Sequence, residues 1–137
     1  MSVVSCSIVS PEGELFSGKV EQLIADGGAG EVAITPRHAP LLATLKPGPL
    51  RLIMEGGGEE VFDASGGFLE VQPGSITVLT DVAERATDID EAEAERAKEL
   101  AEKELEGHKS DLDYALAAAQ LAEAAARLKS LQKLRKK

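Results

Sequence analysis

Glycine and proline stop abruptly in this chain. Twelve of the 13 glycines and all six prolines precede Thr87, and only Gly107 lies beyond it. Both residues punctuate the backbone, glycine by tolerating positive φ and proline by removing a donor and fixing φ. The first part therefore reads as short strands between turns, and the alanine- and charge-rich remainder as unbroken helix. At 137 residues there is room for one small domain and an appendage. The break divides the chain into 1–86 and 87–137.

Ser2 to Ser10 nearly alternates β-branched and small residues and ends at the turn Pro11-Glu12-Gly13. Glu14-Leu15-Phe16 leads through Ser17-Gly18 into Lys19–Ala25, which Asp26-Gly27-Gly28 closes. Glu31–Ile34 and a second apolar run flank Thr35-Pro36-Arg37-His38, and Lys46-Pro47-Gly48-Pro49 is expected to be another turn. Strands at Leu50–Met54, Glu60–Ala64, Phe68–Val71 and Ser75–Leu79 follow, separated by glycine turns. Eight to ten such strands indicate an antiparallel sandwich or flattened barrel. With three Phe and one Tyr, its core must be built from Val, Leu and Ile.

Asp81–Thr87 is expected to be the linker and the only tie to the helices, so that the sandwich folds without them. Asp88, with Glu91 three residues on, suits a capping box for a helix from Ile89 to Glu106, its inner face carrying Ala94, Ala97, Leu100, Ala101 and Leu105. Gly107 suits a left-handed terminator. Ser110 and Asp113 can start a second helix whose inner stripe is Tyr114, Ala117, Ala118, Leu121, Ala124, Ala125, Leu128 and Leu131. The short loop forces an antiparallel hairpin. Its alanine faces bury little area, so it should be weakly held and able to open. The fold class is thus α+β, an antiparallel β-sandwich followed by a two-helix hairpin.

The formal net charge of −9 argues against coating nucleic acid or an anionic membrane. Charge is unevenly placed: residues 88–106 hold nine acids and three bases, whereas the last eleven residues hold six bases and no acid. Cys6 is alone, which suits a reducing cytoplasm, and two distant histidines offer no zinc spacing. No apolar run approaches the ~20 residues of a membrane span, and the N-terminus has no signal-like pattern. The glycines before Glu31 lack the Gly-Lys-Ser/Thr ending of a phosphate loop, and Ser65 lacks the G-x-S-x-G context of a nucleophile. No catalytic residue, metal or cofactor follows from these patterns.

Four segments together resemble the ε subunit of bacterial F-type ATP synthases: SPEGELFSGKVEQL at Ser10–Leu23, GEVAITPRHAPLLATLKPG at Gly30–Gly48, SGGFLEVQPGSITVLTD at Ser65–Asp81, and IDEAEAERA with SDLDYA in the helices. The resemblance implies a non-catalytic rotor subunit whose sandwich sits between the γ subunit and the ring of c subunits. It also implies a hairpin that folds down or extends along γ toward the α and β subunits to restrain ATP hydrolysis. The setting would be the cytoplasmic face of a bacterial plasma membrane, reached only through the complex.

By the same resemblance, Gly28–Glu31 is the ring-facing loop with Glu31 as its contact, His38 lies near γ, and Ser10 belongs to the γ-facing side. Local roles are open for each: a solvated turn acid, a histidine ordering its own turn, a strand end. Arg127, Lys129 and Lys133, with Arg135, Lys136 and Lys137, supply positive charge for acidic segments of the catalytic subunits, or simply complement the helix dipole. ATP-binding members carry I-D-x-x-R-A where this chain has Ile89, Asp90, Glu93 and Ala94. Glu93 replaces a bidentate cation with a like charge for phosphate, which argues against ATP binding and a nucleotide-sensor role.

Overall fold

A computed structural model describes residues 2–27, 30–107 and 110–135. Gly28, Lys136, Lys137 and the side chain of Arg135, all invoked above, lie outside the described residues. Eight strands come first: β1 (Val4–Ser10), β2 (Gly13–Gly27), β3 (Gly30–Ile34), β4 (Leu41–Met54), β5 (Glu59–Ala64), β6 (Gly67–Gln72), β7 (Ser75–Thr80) and β8 (Ala83–Arg85). A 3-10 turn at Ala86–Asp88 leads to α1 (Glu91–Glu106) and α2 (Asp111–Arg135).

The strands run in the order β3-β2-β1-β7-β6-β4-β5-β8, and a further pairing of β2 with β4 closes the sheet on itself. The result is a flattened barrel. Every pairing is antiparallel except β1 with β7, where Val9 lies opposite Leu79. Alternation along β1 and β7 sends Cys6, Ile8, Ile76 and Val78 inward, where they meet Leu23, Leu52, Phe62 and Leu69 in one core. Phe16 packs edge-on against Phe62 with ring centroids 5.8 Å apart.

Two expected breaks are absent. Ser17-Gly18 and Lys46–Pro49 lie within the long strands β2 and β4 rather than at turns between short ones. β4 pairs with β6 through Leu41–Leu45 and with β5 from Gly48 onward, so Lys46-Pro47 is the corner at which the strand changes partner. Proline is tolerated there because neither ladder needs its donor.

Gly67 leaves no room for a side chain. It has φ 139°, and a Cβ added there would collide with the Leu79 carbonyl of the neighbouring strand.

The helices start and pack differently from expectation. Asp90, not Asp88, caps α1, its side chain accepting from the Glu93 amide at 3.2 Å. Asp88 is taken up by the 3-10 turn. Gly107 ends α1 at φ −102°, outside the left-handed region, with its amide on the Lys103 carbonyl. Ser110 starts α2 as expected, accepting from the Asp113 amide at 3.1 Å.

On α1, Ala94 and Ala101 are buried while Ala97 and Leu100 are exposed; on α2, Ala117, Ala124, Ala126, Ser130 and Leu131 are buried, whereas Tyr114 and Ala125 are exposed. The stripe shifts because the second half of α2 faces the barrel as well as α1. Leu131 joins Val61, Ala86 and Ile89 in a small second core. Asp81–Thr87 is therefore not the only tie, and it contains the unexpected strand β8, which pairs with β5.

Candidate functional site

The candidate sites are surfaces. Among the described residues no three His, Cys, Asp or Glu side chains are grouped to hold a metal, and no helix is long and apolar enough to cross a membrane. Cys6 is buried, and burial pushes its thiol up to about 12, which removes it from nucleophilic chemistry near neutral pH.

Strand parity creates the first surface. Phe68 and Leu69 are adjacent on β6, as are Val78 and Leu79 on β7, and successive side chains must point to opposite faces. Leu69 and Val78 fill the core, leaving Phe68 and Leu79 outside at 51% and 43% exposure. Register aligns Val9, Leu79 and Phe68 across β1, β7 and β6, and Thr44 of β4 continues the row. Leu42, 69% exposed, extends the apolar character along β4. An open groove beside this row is lined by Val9, Ser10, Pro11, Gly66, Phe68 and Leu79.

Ser10 thus borders the apolar row while also ordering its own turn. Its hydroxyl donates to the Gly13 carbonyl and accepts from the Glu12 amide, both at 3.3 Å. Sequence analysis singled out Ser10 and missed Phe68 and Leu79. The paired apolar residues at opposite parity were the available signal.

Glu31 is exposed on β3, opposite Asp26 of β2. These acids share a cleft with Lys46 and Lys129. Glu31 lies toward the rim where Gly27, Leu45, Gly67 and Thr80 pair in succession, as does Ser10, which follows the Val9–Leu79 pair. His38 lies toward the other rim, beyond Leu41, which pairs with Val71. Its amide bonds the Thr35 carbonyl at 3.2 Å, and its Nδ1 lies 2.7 Å from the Ala39 carbonyl. Before it, Arg37 adopts φ 68°, an uncommon conformation for a residue with a Cβ. The structure therefore places Ser10 and Glu31 toward one rim, on different strands, and His38 toward the other.

The basic residues of α2 face the barrel in this conformation. Arg127 Nε lies 2.9 Å from Glu84 of β8, and Lys129 Nζ lies 2.7 Å from Asp26 of β2. Next to Lys129 in sequence, the fully buried Ser130 donates its hydroxyl to Asp63 of β5 at 2.8 Å. Burial pushes the Asp63 carboxyl up to about 6, against the opposing effect of the Ser130 hydrogen bond. Lys133 is half-buried and makes no ion pair with a described residue.

The fold is thus a closed β-barrel with a docked helical hairpin and an exposed apolar row on its outer face. Residues 3–86 match the ATP synthase delta/epsilon chain β-sandwich domain and residues 87–132 the delta/epsilon chain long α-helix domain. The chain belongs to the delta/epsilon subunit family of ATP synthases. The fold is shared with a chain of the Euglena gracilis mitochondrial ATP synthase at 18% identity and a TM-score of 0.85, covering 100% of this chain and 83% of that one. A chain of the Tetrahymena thermophila mitochondrial enzyme matches at 17% identity and a TM-score of 0.62, covering 93% and 96%.

Proposed function

We propose that this chain is a non-catalytic rotor subunit of a proton-translocating F-type ATP synthase, transmitting torque between the c ring and γ. Membership of the delta/epsilon family supports this reading, as do the assemblies of the two solved chains, described as containing the c ring and, for Tetrahymena, the central stalk. The carrying observation in the chain itself is the register-aligned row Val9–Leu79–Phe68 beside Ser10, an apolar surface suited to being covered by γ. Glu31, displayed on β3, serves the polar loops of the c subunits, and His38 lies near the γ contact. The chain is held at the cytoplasmic face of a bacterial plasma membrane through these partners.

The hairpin is the regulatory part. α1 packs on α2, and α2 carries three side-chain hydrogen bonds to the barrel, so the pair can leave as a unit. Released, Arg127, Lys129 and Lys133 become available to acidic surfaces of the α and β subunits, where the extended hairpin restrains ATP hydrolysis. Tagged chain expressed with its native complex should co-purify with γ and the catalytic subunits. Recovery of the chain alone from intact complexes would overturn the rotor assignment.

A further inference from the structure

The contact between α2 and the barrel places an ionisable group where the hairpin must cover it. Asp63 stands on the outer face of β5, is 8% exposed, and accepts from the wholly buried Ser130. The small core shared with the helices includes Val61 of the same strand, and Asp63 and Ser130 are the buried polar residues of the contact among the described residues. Three charged groups face Asp63: Glu84 from β8, and Glu123 and Arg127 from α2. Asp81, before β8, lines the same cleft, and the β4 partner opposite Asp63 is the uncharged Pro49. Two carboxylates and one guanidinium thus surround a covered carboxyl, and Arg127 is already engaged by Glu84 at 2.9 Å.

From this geometry we infer that Asp63 is a proton-sensitive latch: the hairpin docks on the barrel more tightly when Asp63 is protonated and is released more readily when it is ionised. The latch is a property of the chain itself and is independent of the partners assigned above. Undocking returns Asp63 to water and to the ordinary carboxylate range. With the docked value near 6, docking takes up a proton as pH falls through that value; the gain is complete below the ordinary value and absent well above 6. The docking equilibrium constant should rise about fourfold between pH 7.5 and pH 5.5. The ion pairs Arg127–Glu84 and Lys129–Asp26 flank the latch and are common to every variant compared below.

The test is amide hydrogen exchange of the full chain at pH 5.5, 6.5 and 7.5, corrected for intrinsic rates. Wild type is compared with Asp63→Asn, which retains an acceptor for Ser130 but cannot ionise. Protection of the α2 amides that face the barrel, taken as the wild-type to variant ratio, should rise about fourfold on acidification, with β1 and β7 amides unaffected. A ratio that is flat or falls, or a change shared equally by β1 and β7, overturns the latch. Should Asp63→Asn fail to fold, Ser130→Ala carries the same question. Losing the hydroxyl raises the penalty on the ionised form, so α2 protection at pH 7.5 should drop and its pH dependence steepen; an unchanged slope overturns the proposal.

Discussion

Replacing Phe68 by alanine should weaken γ binding while leaving the barrel folded. An aromatic side chain offers ~150–250 Å² to burial, so at 51% exposure about 100 Å² of Phe68 stands free for a partner. At ~25 cal/mol per Å², covering that area contributes about 2.5 kcal/mol. Alanine would retain a small part, and the difference of ~2 kcal/mol corresponds to a dissociation constant roughly 30-fold weaker. The cost to the barrel is below ~1 kcal/mol, since Phe68 lies outside the core and only strand preference is lost. Titration of purified γ followed by calorimetry, with thermal melts of the same samples, separates the two effects. Leu100→Ala is the control, because Leu100 is 59% exposed on α1, away from the apolar row. An unchanged affinity for folded Phe68→Ala would refute the assignment of this face to γ.

Gly67→Ala should abolish cooperative folding, because its Cβ would collide with the Leu79 carbonyl and the residue would be held at φ 139°; a thermal melt near that of wild type would count against this. A chain ending at Asp88 should still melt cooperatively, since the main core draws no residue from the helices. Uncovering Val61 and Ala86 costs on the order of 1–2 kcal/mol, which lowers Tm by roughly 5–15 °C, and a broad melt would show that α2 completes the barrel. The double change Arg127→Glu and Lys129→Glu should undock the hairpin, as read by a fluorescence distance between α1 and β7, whereas Lys133→Glu should not. Equal undocking by both would remove the role given to the two ion pairs.

The strands were legible because their turns are written in glycine and proline, and the Val/Leu/Ile alternation fixes which face is core. Lys46–Pro49 was misread because the same residues signal a turn and a strand corner; only the partners, β6 before it and β5 after, tell the two apart. Asp81–Thr87 hid β8 because three residues pairing with an edge strand leave no periodic trace. Helix existence was clear, but the inner stripe of α2 was drawn for one neighbour when the helix has two. Ser130 and Asp63 are 67 positions apart, and a serine in a helix beside an aspartate in a strand carries no local sign that they will meet. Ser10, Glu31 and His38 came from family resemblance, and nothing in strand pattern alone would have placed Ser10 beside Phe68 and Leu79.

The basic end of α2 looks at first like a tail reserved for another subunit. In the docked hairpin two of its charges are already engaged, Arg127 by Glu84 and Lys129 by Asp26. An Nζ or Nε held within 3 Å of one carboxylate is poorly placed to satisfy another, so in the function proposed above binding to the barrel and binding to the catalytic subunits would compete for the same groups. Such competition would make the proposed switch two-state, with one set of ion pairs given up to gain another. Pairs at or near the surface are individually worth only ~0–1 kcal/mol, so the exchange is expected to be close to balanced. A balanced exchange can be tipped by a small term elsewhere. The Asp63–Ser130 contact lies between these pairs and is the buried polar part of the docked state, so it sets the bias that the surface charges leave close to zero.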